Sequence, residues 1–451
     1  MPTSVFILRL ATDTFSLDFG RRHANKLEAM KILVLGQGAR EHAIIQSLIG
    51  TGTPAEHIVA APGNAGIAEE VRTEPTLDPN SPAAVTTFAK AEDIDLVVVG
   101  PEAPLVAGVS DALRAEGIAV FGPSQKAAML EGSKSFAKEV MAAAGVPTGM
   151  ARECSTIDEV ETAMASFGAP YVIKADGLAS GKGVIVTSDR EAALDHARKF
   201  IASGILVEEF LDGQEVSLFF LSDGNSVLPL TPAQDFKRAF DHDAGPNTGG
   251  MGAYSPLPWL PDGFVAEVEA SVALPTVHEL ARLGAHFVGL LYCGLIVTER
   301  GIRVIEFNAR FGDPETQVVL RRLVTPLANL LHKASIGQLT SAPEPEFSKD
   351  VAITVVLASE GYPDSTAPNR AITGLSHALS DKHITIAHAA TRVEGDELLA
   401  TGGRVLSVVS LAKNFTKARH HAYEAIEKIQ LKGSHYRKDI AKKVADAEKH
   451  D

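Results

Sequence analysis

The sequence predicts an α/β chain of several units that opens with a doubly wound parallel sheet, and three observations carry that prediction. From Met30 onward, short apolar runs alternate with helix-like stretches. Each run stops at a glycine or proline turn. Past Ser133 the alternation gives way to a mixed α+β texture with long Gly/Pro-rich loops.

Residues 31–35 form the first buried strand and end at Gly36-Gln37-Gly38, and Glu41 to Ile49 reads as a helix. Ile58 to Ala61 is the next strand, ending at Pro62-Gly63-Asn64. Leu96 to Val99 ends at Gly100-Pro101, and Ala119 to Phe121 at Gly122-Pro123. Ligands of such sheets gather at the carboxyl ends of the strands, where these turns lie. Further on, helices are expected over Ser135–Ala144 and Ile157–Ser166. Strands are expected over Tyr171–Lys174, Gly183–Thr187, Ile205–Glu209 and Val216–Leu221. A Pro/Glu-rich linker, Ser341 to Phe347, leads to a last α/β segment that closes in a charged helix, Ala441 to Lys449.

The length, 451 residues, allows about three domains. A net charge of -14 sets the global field against phosphate backbones, so a bulk nucleic-acid binder is disfavoured. Small anions remain acceptable where local Lys, Arg or helix N-termini overrule the average. No apolar run approaches the roughly 20 residues that span a bilayer, so no membrane partner is expected. Two cysteines, Cys154 and Cys293, make neither a disulfide framework nor a zinc cluster, which fits a cytoplasmic location. The stretch before Met30 is a poor signal peptide and a poor transit peptide, since Arg9 breaks its apolar part and Asp13, Asp18 and Glu28 are acidic. The expectation is that translation starts at Met30 or that this stretch is a dispensable arm.

Gly36-Gln37-Gly38-Ala39-Arg40-Glu41-His42 tempts a dinucleotide reading that fails in detail. Glu41 stands where the third glycine belongs, and the second strand ends without an acidic residue. A glycine turn at a helix N-terminus still suits a monophosphate, with Arg40 adding charge; a plain tight turn is the bland alternative. Lys174 to Gly183 mimics a P-loop without being one, because only three residues separate Gly177 from Gly181 and a strand follows. It reads as a glycine loop between two strands that can fold over phosphates. Against the alternative of a mobile hairpin stands Lys174, which is costly at the end of an apolar strand unless it meets an anion.

Arg303 to Phe311 is the most informative stretch. Alternation puts Glu306, Asn308 and Arg310 on one face, with Ile305, Phe307 and Phe311 toward the core. Two neighbouring oxygen ligands suit Mg²⁺, and Arg310 suits a phosphoryl group or a carboxylate. A half-exposed sheet face with a Glu–Arg pair would look the same.

Together the segments GQGAREHA, APGNAG, VGPEAPLVAG, LEGSKSFAK, VIKADGLASGKGV, VEEFLDGQEVS, QDFKRAFDHDAGPNTGGMGAYSP, VIEFNARFGDPETQ, GGRVL and YRKDI resemble the ATP-grasp superfamily. More closely, they resemble the phosphoribosylamine–glycine ligases of purine biosynthesis, from about Met30 to Ala441. The resemblance implies an ATP-grasp fold with an N-terminal doubly wound domain and a C-terminal α/β domain. Its expected divisions are an N-terminal extension over 1–29, a substrate-binding domain over 30–132, an ATP-grasp domain over 133–337 with a mobile lid at about 148–215, and a C-terminal domain over 338–451. It implies ATP-dependent ligation of glycine to 5-phosphoribosylamine through glycyl phosphate, with Mg²⁺ or Mn²⁺, in a monomer or weak homodimer.

The same resemblance implies the site. Lys134, Lys174, Gly181, Lys182 and Gly183 would bind ATP phosphates; Glu208, Glu209, Phe210 and Leu211 the adenine; and Glu215 the ribose. Glu306 and Asn308 would hold the metal. Gly38, Arg40, Glu41, His42, Pro62, Gly63 and Asn64 would take the phosphoribosylamine. Asp235, Lys237, Gly249, Gly250 and Arg310 would form the acyl-phosphate and glycine zone, with Lys174, Lys182, Asp235 and Arg310 as the catalytic group.

Overall fold

The computed structural model describes residues 30–177, 183–367 and 369–448. The expected extension over 1–29, and the phosphate-binding candidates Gly181 and Lys182, lie outside the described residues.

The first sheet is parallel, with the strands in the order Arg72–Thr73, Ile58–Pro62, Ile32–Gly36, Leu96–Val99, Ala119–Phe121. Chain order reverses beside Ile32–Gly36, so the open crevice of this doubly wound sheet falls at Gly36. The strands are apolar along their length because helices cover both faces. The helix Ala39–Gly50 follows at once, longer at both ends than the apolar pattern alone suggests.

Two antiparallel sheets of four strands each follow. One has the order Ala151–Cys154, Ile205–Glu208, Tyr171–Ala175, Val184–Thr187; the other Val227–Pro229, Gln214–Asp223, Val288–Thr298, Gly301–Asn308. The first packs its apolar face on Ile157–Phe167 and Arg190–Phe200 as a separate small core. Thr156 and Glu159 close a capping box on the first of those helices, and Asp189 caps the second.

The last large sheet has the order Gln234–Asp235, Gly252–Ser255, Val351–Ala358, Arg404–Ala412, Ile384–His388. Its first two strands come from before the Pro/Glu-rich linker. The segment carrying Asp235 and the glycine-rich loop is thereby pinned to the C-terminal part of the chain. Among the described residues no helix is long and apolar enough to cross a membrane.

Candidate active site

A cleft of about 1960 Å³ opens between the two antiparallel sheets and runs on to the edge of the C-terminal sheet. One wall is the strand Gly301–Asn308, and a bulge decides what that strand presents. Gly294 pairs with Glu306 and Leu295 with Val304, so Ile305 faces no partner. The extra residue inverts the alternation. Ile302, Val304 and Phe307 are buried, while Ile305, Glu306 and Asn308 line the cleft. Simple alternation would send Ile305 to the core; instead its carbonyl accepts from Lys174 Nζ at 3.1 Å across the cleft.

Lys174 stands on the facing sheet, buried, with its Nζ 3.0 Å from Glu208 Oε2. Lys138 reaches the same carboxylate oxygen at 3.3 Å. Lys138 lies one turn after Lys134 on the helix Lys134–Ala144, so both side chains share a face. Burial pulls the pKa of both down, opposed by Glu306 for Lys134 and by Glu208 for Lys138. Lys134 Nζ donates to the carbonyls of Ala175 at 2.8 Å and Gly177 at 2.9 Å. Asp176 in turn accepts from the Lys134 N–H at 2.6 Å and the Ser135 hydroxyl at 2.9 Å. The root of the glycine loop is thus tied to a helix N-terminus, where a carboxylate is favoured.

Glu306 sits among cations. Burial works to raise its pKa, but Lys237, Lys174, Lys134 and Arg310 outweigh burial and hold the carboxylate below its usual range. Lys237 Nζ lies 3.6 Å from Glu306 and 3.1 Å from Glu215. Burial opposes the charge on Lys237, and those two carboxylates overcome it and raise its pKa well above the ordinary value. Arg310 is gripped by Glu131 at 2.9 Å and Glu102 at 3.6 Å, and its Nη2 lies 3.5 Å from Asn308 Oδ1. Glu131 also accepts the Ala309 N–H at 2.7 Å, which fixes the end of the strand.

Asp235 has a buried Oδ1 without a hydrogen-bond partner. Burial, then the negative charge of Glu315, raise its pKa well above the carboxylate range. Glu315 itself accepts from Tyr292 at 2.7 Å and Ser217 at 3.0 Å. Arg404 joins Asp313 Oδ2, at 3.0 Å, to the carbonyl of Gly249, which lines the cleft. Gly250 has φ +107°, and a Cβ there would fall 2.3 Å from Pro314 and 2.8 Å from Asp235 Oδ1. Only glycine lets the loop pass so close to Asp235.

The N-terminal candidates divide. Arg40 lines the cleft; Gly38, Glu41, His42, Pro62, Gly63 and Asn64 are not part of its lining. The expectation that the glycine turn offers its N–H groups to a ligand anion meets a competitor. Glu41 folds its own carboxylate back, accepting from the Gly38 N–H at 2.6 Å and pairing with Arg40 Nε. Asn64 donates to the carbonyls of Gln37 at 2.8 Å and His388 at 2.7 Å, and its Oδ1 accepts from Ile67 N–H. His42 Nε2 lies 3.0 Å from Glu70, while its Nδ1 accepts from the His388 N–H at 2.9 Å. Both side chains tie the first sheet to the C-terminal strand Ile384–His388.

Of the remaining candidates, Gly183, Glu209, Phe210, Leu211 and Glu215 line the cleft. Lys138, Glu131, Glu102 and Arg404 line it as well, although single-residue reading does not mark them, and so do Asp313 and Glu315, whose carboxylates follow Arg310 in the sequence. Lys138 could be found by its spacing from Lys134, and Arg404 only as part of GGRVL.

Three segments match phosphoribosylglycinamide synthetase domains: the N domain over residues 30–131, the ATP-grasp (A) domain over 132–316 and the C domain over 352–443. A phosphoribosylamine–glycine ligase of Leifsonia xyli subsp. xyli is 62% identical over 415 residues, covering 91% of this chain and 99% of that protein. The enzyme of the same name from Streptomyces coelicolor is 56% identical, covering 93% of this chain and 100% of that protein. The crystal structure of the phosphoribosylamine–glycine ligase of Thermotoga maritima superposes with a TM-score of 0.78 at 30% identity, covering 91% of this chain and 100% of that one.

Proposed function

This chain belongs to the phosphoribosylglycinamide synthetase family and is an ATP-dependent carbon–nitrogen ligase of purine biosynthesis that joins glycine to 5-phosphoribosylamine; on that premise we propose how its cleft performs the reaction. One observation carries the proposal. Lys174, Lys138 and Lys134 converge from one side on a strand edge that offers Glu306 and Asn308 from the other.

The lysines and the edge are complementary to a triphosphate. In this reading Lys134 and Lys174 hold phosphate oxygens, with Lys138 behind them. Gly181, Lys182 and Gly183 would add backbone N–H groups and the lysine charge to the phosphates. Backbone groups of Glu209 to Leu211 meet the adenine edge, and Glu215 the ribose. Glu208 bridges Lys174 and Lys138 before nucleotide arrives.

Glu306 and Asn308 fit Mg²⁺ or Mn²⁺. They are two hard oxygen donors on one strand edge, open to the cleft, and the carboxylate is held ionised by its cationic neighbours. A cation held there would neutralise phosphate oxygens during transfer.

The glycine carboxylate attacks the γ-phosphorus, and the bond to the bridging oxygen breaks, releasing ADP. Arg310, fixed by Glu131 and Glu102, steers that carboxylate. The amine of phosphoribosylamine then attacks the carbonyl carbon of glycyl phosphate. The carbon–oxygen bond breaks and phosphate leaves with the electron pair, while the amine loses a proton. The loop around Gly249 and Gly250, held by Arg404, walls this zone against water. Arg40, the one member of the N-terminal glycine turn that lines the cleft, receives the sugar phosphate.

The test is release of ADP with each substrate omitted in turn. Sustained release is expected only with ATP, glycine and phosphoribosylamine together. Equal release with another amine in place of phosphoribosylamine would overturn the substrate assignment.

A further inference from the structure

Among the described residues, Arg437 is the largest side chain that the fold buries completely, with 1% of it exposed. It belongs to YRKDI, near the end of the chain, and is not part of the cleft lining. Burying a guanidinium is costly unless its N–H groups are taken up, and four bonds do that here. Nε and Nη2 grip the two carboxylate oxygens of Asp439 at 2.8 and 2.7 Å. Nη1 donates to the carbonyl of Arg238 at 3.1 Å and to Asp243 Oδ1 at 2.9 Å. The guanidinium carbon lies over the Phe236 ring, 4.9 Å from its centre, which is a cation–π distance. The arginine's own backbone is anchored as well, for its carbonyl accepts from the Tyr423 hydroxyl at 2.8 Å.

These contacts bracket a short piece of the cleft wall. Asp235 and Lys237 flank Phe236 in the chain, and all three line the cleft. The Phe236 N–H donates to the Gly252 carbonyl at 2.9 Å, and its carbonyl accepts from the Met251 N–H at 2.8 Å, so the glycine-rich loop holds its backbone. Arg437 adds a hold on both sides of Lys237: the ring at 236 and the carbonyl at 238. The turn that follows depends on the same arginine–aspartate pair. His242 and Asp243, at φ +60° and +52°, are both left-handed, which is uncommon outside glycine. Asp439 accepts the His242 N–H at 2.9 Å, while Asp243 is held by Arg437.

We propose that Arg437 is a positioning residue for Lys237 and Asp235, setting the glycine end of the cleft from behind without touching substrate. This rests on the placing of Lys237 and Asp235 in the acyl-phosphate and glycine zone. Its route is physical: the guanidinium lies against the Phe236 ring, and its fork ties that segment to Asp439 and to the turn at the cleft rim. A lysine keeps the charge but has neither the flat face nor the fork, so it cannot hold Asp439, Asp243 and the Arg238 carbonyl together. The lysines Lys134 and Lys174, which meet the phosphates, stand on other elements and are not among the groups that Arg437 touches.

The experiment makes Arg437→Lys and Phe236→Leu, singly and together, in the full chain, and measures melting curves and steady-state kinetics with glycine and ATP each varied. Folded Arg437→Lys is expected to lose about tenfold in kcat/KM for glycine while KM for ATP stays within about twofold. The double variant is expected to lose no more than the larger single loss, because both changes release one contact. Wild-type glycine kinetics in Arg437→Lys, additive losses in the double variant, or a kcat that falls only with the folded fraction while every KM holds would overturn the proposal. Should Arg437→Lys not fold, Phe236→Leu decides alone: the same glycine-specific loss supports the proposal, and wild-type kinetics contradict it. Lys237→Met, run in parallel, separates the two readings. Unchanged glycine kinetics there would remove the zone and the proposal with it; a loss there with none in Arg437→Lys would refute the positioning role alone.

Discussion

Glu306 carries the highest stake among single residues. Its carboxylate is surrounded by Lys237, Lys174, Lys134 and Arg310, an arrangement that favours charge on a group facing open cleft. Glu306→Gln keeps the shape and removes the charge. Turnover is expected to fall by about 100-fold or more, with Tm changed little; steady-state rates and a melting curve check this together. Lys174 was legible because a lysine at the end of an apolar strand demands an anion. Lys138 was not, since a Lys on an amphipathic helix is ordinary until its neighbour across the cleft is known.

His388 gives a pH prediction at the same scale. It is buried, and burial, then the nearby charge of His42, push its pKa down to about 4, opposed by Glu70. An unfolded histidine titrates near 6.5. The unfolded chain therefore binds more protons between those values. Stability is whole above about pH 6.5 and falls as pH drops toward 4, by up to about 3 kcal/mol. His388→Asn should flatten that part of the stability–pH profile measured by denaturant unfolding. An unchanged profile would show that other groups dominate acid unfolding.

Among the elements, the strand Gly301–Asn308 shows how far pattern reading reaches. Alternation correctly paired Glu306 with Asn308 on one face. It missed the bulge at Ile305, because a bulge is a property of two strands, and the partner Val288–Thr298 lies outside the pattern being read. Four of the five parallel strands were legible, since runs buried on both faces announce themselves; Arg72–Thr73, two residues long and partly exposed, was not. The recruitment of Gln234–Asp235 and Gly252–Ser255 into the C-terminal sheet was not, for those segments are short and glycine-rich.

The short helix Ala65–Glu70 supplies a test at this scale. A Cβ on Gly66 would fall 2.4 Å from the His388 ring and 2.6 Å from that of His42. Both rings are pinned by hydrogen bonds and cannot step aside. Gly66→Ala is expected to destabilise the protein by about 1–3 kcal/mol, read as a lower denaturant midpoint. A neutral effect would mean that this contact is slacker than drawn.

At the scale of the whole molecule, the cleft exists because distant segments converge. Arg40 arrives from the first sheet, Lys174 and Glu306 from two facing sheets, and Arg404 from the C-terminal sheet. Chemistry-bearing residues could be named from the sequence, but convergence could not be. Asn64 and His42 illustrate the gap. Their motifs look like ligand-binding turns, yet here their side chains spend their hydrogen bonds on a strand more than 300 residues further along. The same convergence places the glycine-rich loop, through Arg404, against the pocket that holds Asp235.

The central claim is that the cleft activates a carboxylate by phosphorylating it. Glycine labelled with ¹⁸O in its carboxylate tests this most directly, with the released phosphate analysed by mass. The account predicts one labelled oxygen in each phosphate formed, because the oxygen that attacks phosphorus departs with it. Phosphate free of label, with full product formation, would contradict it.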